Sequence, residues 1–192
     1  KTIRYIEEAL LELNLEILHE LKSKNTNVCS ISPKENNVIN IIPESKELGY
    51  VGTPKKIDKE KILNFINNKQ IPIVVPLGLG DDGRIYNINA DVAAGSIAKE
   101  LGARRLLLMT DVEGVLDENQ KLISEINLNK ANEMLKNNII SGGMIPKINT
   151  CLDAISNGVR GVVIVDGRKP HSILFELFSD KGAGTLIRKW II

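Results

Sequence analysis

Two short runs hold residues whose types and spacing could handle a phosphate: Asn87-Ile88-Asn89-Ala90-Asp91 and Ser141-Gly142-Gly143-Met144-Ile145-Pro146-Lys147. The second sets a lysine just after two glycines and a proline, at the expected first turn of a helix. A helix N-terminus carries partial positive charge, so a lysine there gains little unless it shares an anionic ligand with the helix. The first run sets a carboxylate, Asp91, at the start of another expected helix, where it could balance and aim such a lysine. Capping by Asp91 alone would contribute roughly 1 kcal/mol and is the plainer reading. Yet Asn87, Asn89 and Asp91 are three amide or acid groups in five residues, more than one cap requires. The chain has no Gly-x-x-x-x-Gly-Lys-Ser/Thr run, so its phosphate grip is of another kind.

A third run, Thr110-Asp111-Val112-Glu113-Gly114-Val115-Leu116-Asp117, leaves an apolar segment with a polar pair and then a glycine that lets the loop turn back. It suits the edge of a nucleotide site, and equally an ordinary strand-to-loop turn with an Asp bonding its own backbone. His19, inside an amphipathic helix, and His171, after Pro170, read as surface, packing or capping residues. Neither has a cysteine or carboxylate cluster that would make a metal site, and no Gly-x-Ser-x-Gly or paired Cys/His constellation points to covalent catalysis.

These runs need strands and helices to hold them. Residues 2–22 place Ile3, Ile6, Leu10, Leu13, Ile17 and Leu21 at helical spacing. Val28 to Ile31 and Val38 to Ile42 read as short strands, and Leu48 to Val51 as a third that ends at Gly52 and Pro54. Asp58 reads as the N-cap of a helix through Asn67, and Ile71 to Pro76 as a buried parallel strand. Further on, Ile85 to Asn87 is a strand end, 91–101 a helix, 105–109 a strand, 130–137 and 147–157 helices, 162–165 a buried strand, 172–178 a helix and 185–187 an edge strand. Strand–helix alternation of this kind predicts an α/β fold, a three-layer αβα sandwich with a mostly parallel central sheet. Ligands in such sheets gather at the carboxyl ends of strands, where the three runs fall.

The bulk numbers exclude some classes. With 192 residues and 43% hydrophobic content the chain can bury one sizeable core in two lobes, and a formal net charge of +1 gives no basic field for nucleic acid. Cys29 and Cys151 show neither metal-type nor disulfide-framework spacing, a pattern that fits a reducing cytoplasm. The apolar runs are too short to span a bilayer and no signal peptide is visible. The chain opens at Lys1 inside a helical pattern, without an initiator methionine, which predicts further residues upstream.

Taken in order, the runs resemble the amino-acid kinase superfamily, and within it the N-acetylglutamate kinases of arginine biosynthesis. The resemblance rests on Asn87 to Asp91 with Ala93, Ala94 and Ala98; on Thr110 to Asp117; on Ile139-Ile140-Ser141-Gly142-Gly143-Met144-Ile145-Pro146-Lys147; and on Asp166-Gly167-Arg168-Lys169-Pro170-His171, Glu176-Leu177-Phe178 and Gly182-Ala183-Gly184-Thr185. Leu48 to Gly52 and Ile71 to Pro76 fit the same pattern, so it covers most of 48–187. The resemblance implies residues 1–76 as the rest of an amino-acid-substrate lobe and 77–192 as an ATP-binding lobe. It implies that ATP with Mg2+ phosphorylates the side-chain carboxylate of N-acetyl-L-glutamate to an acyl phosphate, through positioning and charge stabilisation. By motif, Lys147 and Asp91 would be catalytic, the lysine stabilising the transferring phosphoryl group and Asp91 orienting it. Asn87 would hold the substrate, and Asp111, Val112, Glu113, Gly114, Val115 and Leu116 with Ile139, Ile140 and Ser141 would line the ATP site. Magnesium would sit on the ATP phosphates, with no protein ligand assigned.

The upstream Gly-rich segment, second lysine and substrate arginine of that family have no counterpart in these residues, so the 192 residues alone are predicted to be inactive or severely impaired. The tail 176–185 resembles arginine-sensitive members, which implies feedback inhibition by arginine, and the family implies a homo-oligomer, dimer or higher. Alternatives are a kinase of the same superfamily for a carrier-bound aminoadipate, UMP or carbamate, or a non-catalytic ATP- or arginine-binding module.

Overall fold

The computed structural model describes residues 2–190; Lys1, Ile191 and Ile192 lie outside the described residues. The chain divides into two compact units, Lys1–Ile97 and Ala98–Ile192. Among the described residues the strand pairings are four parallel and three antiparallel, in one two-stranded and two four-stranded sheets. The architecture is α/β, with mixed sheets. No helix of the described residues is long and apolar enough to cross a membrane.

The first unit holds α1 (Thr2–Ser23), β1 (Val28–Ile31), β2 (Ile39–Pro43), β3 (Gly52–Ile57), α2 (Lys59–Asn67), β4 (Ile71–Val74), β5 (Leu77–Gly80), β6 (Ile85–Asn87) and most of α3 (Ala90–Leu101). β1 and β4 pair in parallel, and the second sheet runs β3-β2-β5-β6. Helix α1 packs on β1, β4 and β6. Its buried Asn14 ties these parts together: the amide donates to the Ile73 carbonyl at 3.2 Å and accepts from the Ser30 hydroxyl at 2.7 Å. A polar side chain in a core is tolerable when both halves are satisfied, as here. Asp58 caps α2 by accepting the Lys61 N–H, as its sequence predicts.

Two differences from the sequence reading stand out in this unit. The third strand starts at Gly52 and runs through Pro54 to Ile57, where the sequence placed it at 48–51; β3 is the edge of its sheet, the position where a strand tolerates proline. β5, Leu-Gly-Leu-Gly, is a strand that the sequence reading does not name, and its glycines have a structural use. They serve close strand approach: a Cβ on Gly78 would lie 2.3 Å from the Ile41 side chain and 3.0 Å from the Ile39 carbonyl. β4 is half-exposed and among the described residues pairs only with β1, so it is less buried than its apolar run implies.

The second unit holds β7 (Leu106–Thr110), β8 (Glu125–Asn127), α4 (Leu128–Lys136), α5 (Met144–Ser156), β9 (Gly161–Asp166), α6 (Ser172–Phe178) and β10 (Gly184–Arg188), with sheet order β7-β9-β10-β8. All six residues of β9 are buried, so both faces of this strand are covered, and α5 and α6 pack on it. β10, expected at the edge, is central: it pairs antiparallel with β9 and parallel with β8. Gly184 permits this, since a Cβ there would sit 2.0 Å from the Ile164 carbonyl oxygen. Strand β8, three residues long, carries too short a pattern to be recognised in the sequence.

Candidate functional site

In the second unit, β7 delivers the run 111–117 at its carboxyl end, and a small hairpin-like turn shapes it. Asp117 accepts the N–H groups of Asn119 (2.8 Å) and Lys121 (2.9 Å), a side-chain-stabilised turn. Val115 donates its N–H to the Thr185 hydroxyl of β10 at 2.8 Å, and that hydroxyl donates to the Ile123 carbonyl at 2.6 Å. Gly114 stands at φ +145°, and a Cβ there would come within 2.6 Å of Thr185 Oγ1. Glycine is therefore required for conformation and for space, and the loop is pinned to the sheet.

The other wall comes from the link between α4 and α5. Asn138, at φ +57°, ends α4 in the left-handed conformation, and Met134 accepts the N–H groups of Ile139 and Ile140. Val112, Gly114, Val115 and Leu116 then share one cavity of about 290 Å³ with Ile139, Ile140 and Ser141. Two runs 22 residues apart or more in sequence thus meet around one space. Asp117, Gln120 and Met144 also line it and were not singled out from sequence; Asp117 carried a signal, as the closing residue of the run. Asp111 and Glu113 are exposed and bond elsewhere, Asp111 accepting from the Thr110 hydroxyl at 3.3 Å and Glu113 pairing with Lys169 at 2.6 Å.

Helix α5 begins at Met144, three residues earlier than the sequence reading, so Lys147 is the fourth helical residue and half-buried. Pro146 costs no hydrogen bond there, because the first N–H groups of a helix have no intrahelical partner. No side chain caps the helix at Gly143. Gly142 takes φ +56°, and a Cβ on Gly142 or Gly143 would meet no atom within 4 Å. The smallness of these residues is therefore not demanded by the chain's own packing; it leaves the backbone open to approach.

The ends of β7 and β9 lie side by side, Thr110 in register with Asp166. Arg168 grips the buried Asp166 carboxylate with Nε and Nη2 at 3.0 Å each and with its own N–H at 3.0 Å. These bonds from Arg168 push the Asp166 carboxyl down to about 2. Lys169, one residue on, reaches Glu113.

In the first unit, Asn87 ends β6, with its N–H donating to the Tyr50 carbonyl at 2.9 Å. It lines a second cavity of about 290 Å³ together with Thr2, Ile3 and Ile6 of α1 and the loop 47–51. The capping role weighed for Asp91 belongs to Asn89, whose side-chain oxygen accepts the N–H groups of Asp91 (3.0 Å) and Val92 (3.2 Å). Asp91 is half-buried in the first turn of α3. Among the described residues no group of three or more His, Cys, Asp or Glu side chains could hold a metal ion.

Comparison with known proteins shows the family. Residues 2–166 match the pattern of the amino acid kinase family. The chain is 55% identical over 188 residues to an acetylglutamate kinase of Pelagibacter ubique, covering 98% of this chain and 65% of that one. It is 43% identical over 200 residues to an acetylglutamate kinase of Clostridioides difficile, covering 97% and 70%. The chain thus spans about two thirds of the length of these relatives. Among solved structures it is similar to smu.665 from Streptococcus mutans UA159, with a TM-score of 0.79, 32% identity and coverage of 94% of this chain and 69% of that one. A run of motifs in order, a matching fold and relatives of this identity lead to one statement: the chain belongs to the amino acid kinase family.

Proposed function

We propose that the whole protein is an acetylglutamate kinase that transfers the γ-phosphoryl group of ATP to the side-chain carboxylate of N-acetyl-L-glutamate, as part of arginine biosynthesis in the cytoplasm. The observation that carries the reading is the shared cavity of the 112–116 and 139–141 segments, which leads directly into the glycine-opened start of α5. The names of the relatives support the same reaction. In this reading the apolar walls of that cavity, Val112, Val115, Leu116 and Ile139, hold the base and sugar of ATP. The bare backbone at Gly142 and Gly143 admits phosphate oxygens, and magnesium arrives on the ATP phosphates with no protein ligand.

Asn87, on the acceptor side, hydrogen-bonds the backbone carboxylate of the amino acid, and the reacting side-chain carboxylate is the nucleophile. Lys147 offsets the negative charge that spreads over the transferring phosphoryl group and its bridging oxygen, and Asp91 orients the lysine. Such placement lowers the barrier by charge stabilisation without a covalent enzyme intermediate. The test is acetylglutamate-dependent ADP release by the protein translated from the complete reading frame, against a panel with glutamate, UMP and carbamate. Turnover of UMP or carbamate in preference to acetylglutamate sinks the reading, as does ATP binding without turnover.

A second proposal, feedback inhibition by arginine, has its own observation. A cavity of about 570 Å³ opens against α6 and β10, and its lining holds Glu125, Glu176 and Asp180 beside Arg104, Arg105 and Lys181. Glu176 is buried and already binds the Arg105 guanidinium at 3.0 Å and the Ala183 N–H at 3.0 Å. A free guanidinium could take the place of Arg105 on this carboxylate, since the two groups present the same forked donors. Activity of the complete protein that is unchanged by arginine removes this proposal.

A further inference from the structure

The loop 111–117, which lines the cavity read as the nucleotide site, is unevenly held. Its far half is tied to the sheet through Thr185 and closed by the Asp117 turn. Its near half has no such support: among the described residues, 112–114 take part in no loop or turn hydrogen bond between backbones. Yet Val112 and Gly114 both line the cavity. The residue between them, Glu113, sends its side chain to another loop and meets Lys169 Nζ at 2.6 Å.

That second loop, 167–171, is built to present the lysine. Its start is joined to the end of β7, where the Gly167 N–H donates to the Thr110 carbonyl at 2.8 Å. Arg168 closes on the buried Asp166 carboxylate with its side chain and its own N–H. The Lys169 N–H donates to the Asp166 carbonyl at 3.4 Å, and the Lys169 carbonyl accepts the Ser172 N–H at 3.3 Å. The backbone that carries Lys169 is therefore set independently of the ion pair. Part of the entropy cost that offsets the gain in most exposed pairs is absent here. Arg168 adds a second positive charge within electrostatic reach of Asp111 and Glu113.

We propose that Lys169 is a positioning residue for the nucleotide: through Glu113 it latches residues 112–114 to the loop after β9 and holds that wall of the cavity ready for ATP. The inference rests on the reading of the 112–144 cavity as the nucleotide site. Neither Glu113 nor Lys169 lines the cavity, so the pair acts through the backbone between Val112 and Gly114. A wall that is already ordered costs the ligand less conformational entropy on binding, and the latch therefore shows in nucleotide affinity. An exposed pair of this kind is worth about 2–5-fold in affinity, and salt screens it.

The test is calorimetric binding of ADP to the complete protein, with steady-state kinetics beside it. Lys169→Met and Glu113→Gln are each expected to raise the ADP Kd by about 2–5-fold. The double variant loses no more than either single one, because both remove the same contact. Lys169→Arg retains the affinity, and exchanging the charges, Glu113→Lys with Lys169→Glu, restores most of what Lys169→Glu alone loses. In Lys169→Met the KM for ATP rises while kcat at saturating ATP stays close to the parent value. The difference between the parent and Lys169→Met narrows at high salt. An unchanged ADP Kd in Lys169→Met overturns the proposal, as do losses that multiply in the double variant, since two separate contacts would then be at work. A lowered Tm with equal losses of ADP and acetylglutamate affinity marks global destabilisation and overturns it too. Leu116→Trp, which fills the cavity, tests the underlying reading separately: unchanged ADP binding in that variant shows that the cavity is not the nucleotide site.

Discussion

Lys147 lies on the fourth residue of α5, just past a helix start that two glycines leave open. If it stabilises the transferring phosphoryl group, Lys147→Ala lowers kcat by about 10²–10³-fold, the loss typical of removing one preorganised charge-stabilising donor. KM for ATP changes little by comparison, and a steady-state assay of the complete protein separates the two. Asp166 makes a different prediction. Its carboxyl is pushed from the ordinary 3.8 down to about 2, chiefly by the Arg168 hydrogen bonds. A group with a depressed folded pKa contributes stability that is fully present above its unfolded value and is lost as pH falls through the folded one. Asp166→Asn therefore costs stability at neutral pH, and the gap from the parent protein narrows as pH falls from about 4 to 2. Urea unfolding across that window measures it; a gap that stays constant down to pH 2 counts against the Arg168 grip.

At the scale of elements, the nucleotide loop depends on β10. The Thr185 hydroxyl satisfies the Val115 N–H and the Ile123 carbonyl together, in a strand whose Thr185 and Ile187 are fully buried. Thr185→Val keeps the shape but strands both backbone groups, at a cost of about 1–3 kcal/mol for each that stays buried. Gly114→Ala forces a side chain into a backbone conformation worth about 1–3 kcal/mol of strain and against Thr185. Both variants are expected to weaken ADP binding in calorimetry more than acceptor binding, because the loop they disturb lines the 112–144 cavity and not the one that holds Asn87. Equal loss of both affinities would instead mean global destabilisation. The β10 dependence was hidden in the sequence: a short strand near the C-terminus reads as an edge, and only Gly184 hints that another backbone comes close.

For the whole molecule, we propose the homo-oligomer that the family resemblance implies, with a face of α1 as its surface. Tyr5, Ala9, Leu13 and Ile17 follow one another at four-residue steps and are exposed, with Tyr5 68% and Leu13 51% accessible. An apolar ridge of this kind on one helix face can pack on its symmetry mate, residue against residue. Leu13→Glu is expected to shift the complete protein to a lower mass in light scattering, while a parent protein that is already monomeric removes the proposal. The sequence by itself determined the α/β class, most helices, and the membership of the three runs in one ordered set. Those follow from local signals: apolar periodicity, caps such as Asp58, and glycines at turns. Tertiary structure alone decided the strand order and the central place of β10, and it gave the expected pairing of 112–116 with 139–141 its cavity. It also decided that Asn89 rather than Asp91 caps α3, and that Lys169 meets Glu113. These are long-range pairings, set by which backbones approach closely and which side chains fill the gap, and neighbouring residues in a sequence carry no record of them.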